Sequence, residues 1–154
     1  MTTAPVNIHA TAIIIGTRGL LFTGPSGSGK SRLAFACLTA ARRQGAFAAL
    51  VADDRVLLSR WGDHLIASRP ASIAGLIELR GSGIAEIESH PSAVLDLAVG
   101  VIFLADSERL PPENERFNIS ERGDLPLLRR CPTSPGPLAY IAALMPSFRG
   151  QTPF

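Results

Sequence analysis

Lysine is almost missing from this chain. Of fifteen basic residues, fourteen are arginine and only Lys30 is a lysine. That scarcity excludes any motif needing a second lysine, including the Asn-Lys-x-Asp sequence with which GTPases read guanine. Cysteine is also scarce: Cys37 and Cys131 stand far apart, which rules out a disulfide framework and a clustered metal site. They read as buried or incidental thiols in a reducing compartment. Charge of one sign is lacking, the net being +2, and no basic stretch is interleaved with aromatics, which weighs against nucleic acid as a partner. No apolar run approaches membrane-spanning length. Met1 to Pro5 shows no basic region followed by an apolar core, so no export signal is expected and the expected location is the cytoplasm.

What is present is an alternating α/β pattern over the first half. Ala12 to Ile15 and Leu20 to Thr23 are short apolar runs separated by Gly16-Thr17-Arg18-Gly19, the pattern of a hairpin. From Ser31, Leu33, Ala34, Cys37 and Leu38 recur at helical spacing, and Arg42-Arg43 fall where cations suit the helix dipole. Gln44-Gly45 closes that helix. Ala46 to Ala52 then reads as a strand buried on both faces with Asp53-Asp54 at its tip. Further strands are expected at Arg55–Arg60, His64–Ala67, Leu76–Arg80 and Ala98–Leu104, and a helix over Leu138–Met145 ending at Pro146. Eight of twelve prolines lie at or after Pro111, so Pro132 to Pro137 reads as loop. One domain over residues 1–154 is expected, with ends frayed to about residue 8 and from about residue 150.

Gly24-Pro25-Ser26-Gly27-Ser28-Gly29-Lys30-Ser31 meets every fixed position of the phosphate-loop pattern G-x-x-x-x-G-K-[ST], between a predicted strand and a predicted helix. Such glycines let successive N–H groups face a phosphate, and the helix adds the positive end of its dipole. Lys30 would neutralise phosphate oxygens and the Ser31 hydroxyl would ligate Mg²⁺. The retained lysine fits this role, since a compact ammonium reaches between phosphates where a planar guanidinium does so poorly.

Asp53 and Asp54 lie at the end of the strand after the loop helix. One carboxylate there can hold Mg²⁺ and the other can accept a proton from a hydroxyl nucleophile. A single strand-end Asp would read as a turn cap; the pair favours chemistry. Glu78 and Arg80 alternate on one predicted strand and so share a face. Taken alone they read equally as a surface ion pair beside the Gly81-Ser82-Gly83 turn. His9 alone carries no message, and His64 and His90 read as surface positions.

His9, the loop Gly24 to Ser31, Ala52-Asp53-Asp54-Arg55-Val56 and Ile77-Glu78-Leu79-Arg80-Gly81-Ser82-Gly83-Ile84 together resemble the catalytic domain of HPr kinase/phosphorylase. Ser107-Glu108-Arg109-Leu110 is similar to that family's Asp-Arg-Leu segment. The resemblance runs from about His9 to Arg149. It implies a phosphate-loop domain of the HPr kinase/PEP carboxykinase type, a mixed sheet with flanking helices. It also implies a serine kinase acting on an HPr-like phosphocarrier, with ATP or pyrophosphate as donor, Mg²⁺ as cofactor, phosphorolysis in reverse and a homo-oligomer, a hexamer in the family. By the same resemblance Lys30 and the loop amides bind donor phosphates, and Ser31 and Glu78 bind Mg²⁺ with Asp53 assisting. Asp54 is the base, and His9 and Arg109 stabilise the transferring group.

The chain departs from the family in places. It resembles the short alpha-proteobacterial forms made of the catalytic domain only. Arg32 stands where the family has an acid, Ala10 where it has glycine, and prolines occupy Cys131 to Pro137 where it has Lys and Gly-Arg. The last departure weighs against phosphorolysis more than against kinase activity. Two other readings stay open: a small-molecule kinase of the phosphate-loop class, and a nucleotide-binding regulator that no longer transfers.

Overall fold

The computed structural model describes residues 4–102, 110–119, 122–130, 132 and 136–145. In chain order, its first half runs β1 (Val6–His9), β2 (Thr11–Ile15), β3 (Arg18–Thr23), α1 (Lys30–Arg43), β4 (Ala48–Ala52), β5 (Arg55–Trp61) and β6 (His64–Ser68). After a 3-10 turn at Ala71–Ile73 come β7 (Leu76–Leu79), β8 (Gly83–Glu86), β9 (Ser92–Val101), β10 (Arg116–Asn118), β11 (Asp124–Arg130) and α2 (Pro137–Leu144).

The predicted hairpin forms as β2 and β3, paired antiparallel from Thr11↔Phe22 to Ile15↔Arg18. β4 lies on the other edge of β2, also antiparallel to it. β3 and β4 therefore run the same way with β2 between them, and α1 makes the crossover. All of β4 is buried, as its unbroken apolar run requires. Arg42 Nη2 donates to the Ala48 carbonyl at 3.0 Å, tying the helix end to the start of β4.

β9 is the seam of the molecule. Its first residues pair antiparallel with β6 (Ser68↔Ser92, Ile66↔Val94). Farther along, it pairs parallel with β3 up to Thr23↔Gly100, and on its other edge parallel with β11 from Leu127↔Ala98 to Arg130↔Val101. The main sheet thus reads β1-β5-β6-β9-β3-β2-β4, with β11 and then β10 branching from β9, while β7 and β8 form a separate two-stranded sheet. Contact between β3 and β9 demands glycine at one point: a Cβ on Gly19 would stand 2.1 Å from the Val94 carbonyl oxygen.

Because side chains alternate along a strand, the central sheet has two cores. On one face Ile13, Ile15, Leu20, Phe22, Leu97 and Val99 pack against α1, α2 and Ile77 of β7. On the other face Ala12, Leu21, Val51 and Ala98 pack with Val56, Leu58, Leu65 and Ala67 of the curled half. Truncating a large, fully buried side chain such as Phe22 costs about 3–5 kcal/mol.

Several expectations are corrected. The N-terminus is not frayed to residue 8, because Val6–His9 pair with β5 from Val6↔Leu58 to His9↔Arg55. β9 begins at Ser92, earlier than the expected Ala98, with exposed Val94 and half-buried Asp96 masking the pattern; residues 103–104 of that expectation lie outside the described residues. β7 ends at Leu79, so Arg80 sits in the following turn rather than on the strand. β8, β10 and β11 went unforeseen. β11 holds Pro126, tolerated because pairing with β9 starts only at Leu127. Pro137 opens α2 instead of belonging to the loop, a position where its missing N–H costs nothing.

Candidate active site

The loop leaves β3 at Thr23 and enters α1 at Lys30. Gly27 (φ 79°) and Gly29 (φ 99°) take left-handed backbone conformations, and Gly29 caps the helix without any side-chain bond. The first turn of α1 holds no acid, and it begins Lys30-Ser31-Arg32. Lys30 Nζ donates to the carbonyls of Gly24 and Pro25, each at 3.0 Å, so the ammonium spans the loop from inside. Ser28 Oγ is buried in the loop and has no hydrogen-bond partner among the described residues.

Asp53 is 5% exposed and joins three elements. Its Oδ1 accepts from Thr11 Oγ1 of β2 at 2.9 Å and from Ser31 Oγ of α1 at 2.5 Å. Its Oδ2 accepts the backbone N–H of Glu78 in β7 at 2.9 Å. Thr11 is wholly buried and was missed at the sequence level, where its only signal is a hydroxyl opening an otherwise apolar run.

Asp54, one residue on, lies in a different environment. It takes a positive φ of 69°, a conformation that Asp tolerates better than most residues, and it is exposed. Its Oδ1 lies 3.5 Å from His9 Nδ1, with both side chains largely in solvent. The pairing of β1 with β5 creates this meeting, since His9 stands opposite Arg55 and the Ala10 N–H donates to the Asp54 carbonyl at 3.3 Å.

A cavity of about 540 Å³ opens in front of the loop, lined by residues 26–32, Asp53, Asp54, Glu78 and Arg80 among others. That volume suits a nucleotide-sized ligand. Lys30, Ser31, Asp53, Asp54 and Glu78 are therefore brought together, with His9 beside Asp54. Arg109 lies outside the described residues. On the buried face of α1, burial pushes the Cys37 thiol up to about 12, opposed by the nearby Arg130 guanidinium.

The side chains of this cavity able to ligate a metal, Thr11, Ser26, Ser28, Ser31, Asp53, Asp54 and Glu78, are all hard oxygen donors, the kind that Mg²⁺ takes. Among the described residues no three His, Cys, Asp or Glu side chains cluster as a complete metal cage.

Sheet, crossover helix and loop define a phosphate-loop α/β domain. Residues 2–92 match the family model described as the HPr Serine kinase C-terminal domain. A 117-residue stretch is 33% identical to the HPr kinase/phosphorylase of Clostridium tetani, covering 74% of this chain and 36% of that protein. The HPr kinase/phosphorylase of Listeria welshimeri is 40% identical over 86 residues, 54% of this chain and 26% of that one. The fold is similar to the solved Hpr(Ser) kinase/phosphatase from Coxiella burnetii, with a TM-score of 0.70 at 23% identity over 92% of this chain and 90% of that one. The chain belongs to the HPr serine kinase C-terminal domain family. It spans about a third or less of the length of these curated relatives. Among the described residues no helix is long and apolar enough to cross a membrane.

Proposed function

We propose that this domain transfers the terminal phosphate of ATP, or of pyrophosphate, to a serine hydroxyl of an HPr-like phosphocarrier protein. The observation that carries this reading is the Asp53 junction. One buried carboxylate registers the loop hydroxyl Ser31 against the backbone of Glu78, while Asp54 is turned outward beside His9. A domain that only bound nucleotide would need the loop but not a second, exposed acid lining the same cavity beside a histidine.

In this reading the loop amides and Lys30 hold the donor phosphates. Asp54 accepts the serine proton as the serine oxygen bonds to phosphorus and the bond to the leaving phosphate breaks. His9 and Arg109 stabilise charge on the group in transit. Ser31, Glu78 and Asp53 would hold Mg²⁺, which when bound offsets charge on the donor. The reverse reaction needs the same carboxyl group protonated, returning its proton to the serine oxygen as inorganic phosphate takes the phosphoryl group and forms pyrophosphate.

The test is transfer of labelled γ-phosphate from ATP·Mg²⁺ to purified HPr. Serine-linked label is expected with the unaltered chain, reduced at least about 100-fold by Asp54→Asn and by Lys30→Ala. Donor binding without transfer from either ATP or pyrophosphate would overturn the kinase reading and leave a nucleotide-binding regulator.

A further inference from the structure

Arg80 has no part in the scheme above, yet it stands over the loop. A Cβ placed on Gly27 would lie 3.2 Å from Arg80 Nη1 and within 4.0 Å of its Cζ and Nη2. Gly27 is fixed by its positive φ, and the guanidinium stands against its open side. Arg80 is exposed and lines the cavity. Among the described residues it forms neither a hydrogen bond nor an ion pair, although Asp53, Asp54 and Glu78 line the same cavity.

Its placement is not loose. Two residues earlier, the Glu78 N–H is bonded to Asp53, and Ile77 is fully buried in the core beneath α1. The same Asp53 holds Ser31, so the backbone that carries Arg80 is registered to the loop through one carboxylate. A guanidinium with five donors, standing over Gly27 of a phosphate loop, matches the oxygens of a phosphate bidentately. Lys30 meanwhile approaches the loop from the Gly24–Pro25 side.

We propose that Arg80 is a donor-binding residue, clamping the terminal two phosphates from the Gly27 side of the loop. The proposal rests on the phosphate-loop reading of the site and adds a second cationic arm to it. It also explains why the turn after β7 carries arginine rather than another surface residue.

Pyrophosphate isolates the two phosphates from the nucleoside, so calorimetric titration with pyrophosphate·Mg²⁺ and with ATP·Mg²⁺ is the test. The chains compared are the unaltered protein, Arg80→Ala, Arg80→Gln, Arg80→Lys and Lys30→Ala. Arg80→Ala and Arg80→Gln should weaken both ligands by the same factor, about 10–100-fold, as loss of a hydrogen-bonded charge contact implies. Arg80→Lys should recover part of that loss, and melting temperatures without ligand should stay unchanged. Unchanged affinity in the folded Arg80 variants, with Lys30→Ala still impaired, would overturn the role of Arg80 and leave the loop reading standing. Loss for ATP but not for pyrophosphate would likewise overturn it, by placing Arg80 on the nucleoside. Failure of the unaltered chain to bind either ligand would overturn the loop reading and this proposal together.

Discussion

Asp53 and Asp54 are neighbours in the chain with opposite environments, so their substitutions should separate stability from chemistry. Asp53→Ala strips the acceptor from three donors, two of them side chains within the fold. At about 1 kcal/mol for each lost bond the cost is about 3 kcal/mol, read as a drop of about 10 °C in thermal melting. Asp54→Asn keeps a residue that tolerates positive φ and should shift melting by less than about 0.5 kcal/mol, while phosphoryl transfer collapses. Cys37 supplies a residue-scale prediction of another kind. Its thiol is held protonated by burial, so iodoacetamide should leave it unlabelled in the native chain at pH 8 and label it after unfolding. Because its pKa rises from 9.0 to about 12 on folding, its contribution to stability is complete below pH 9 and is lost as pH climbs toward 12. The residues of the site were legible wherever a side-chain type is itself the signal, as with Lys30, Ser31 and the acid pair. The Glu78 contact to Asp53 is made by a backbone N–H, which no residue identity announces.

Elements were legible where the signal is local. The β2–β3 hairpin, α1 and β4 follow from periodicity, turn residues and an unbroken apolar run. β1, β8 and β10 are only 4, 4 and 3 residues long and none holds a buried residue; β1 forms on the edge of the distant β5, while β8 and β10 each pair with the adjacent strand in the chain. β11 was hidden by Arg129 and Arg130, both of which meet partners within the fold. Arg129 forks onto Glu115 at 2.8 and 2.6 Å, and Arg130 stacks on Tyr140 at 3.8 Å. At this scale Gly19→Ala is the sharpest test of β3 against β9. The methyl group would meet a backbone oxygen, so a loss of about 1–3 kcal/mol is expected by denaturant titration. Arg32→Glu should act in the opposite sense on α1. An acid in a first turn that has none complements the helix dipole, raising the stability of the unliganded chain by about 0.3–1 kcal/mol. The same change should weaken pyrophosphate binding by placing negative charge on the cavity wall.

For the molecule as a whole, site and fold stabilise each other. Donor at about 100 times its dissociation constant should raise unfolding free energy by about 2.7 kcal/mol. Hydrogen exchange should show that gain beyond the loop itself, with the Glu78 amide slowed along with those of residues 27–31, because Asp53 links them. Protection confined to the loop would mean that β7 opens independently of it.

The seam strand sets the order in which this chain can become competent during synthesis. β3 delivers the chain into the loop, yet its parallel neighbour is β9, and Gly19 waits for Leu95 before that edge is covered. A nascent chain that has emerged only as far as β8 already carries the whole octet and both aspartates. It still lacks β9, so β3 is held by β2 along one edge and its other edge is uncovered. The octet is therefore translated well before its strand is enclosed on both edges, and a fragment truncated ahead of Ser92 would display the full signature on a strand with one edge bare.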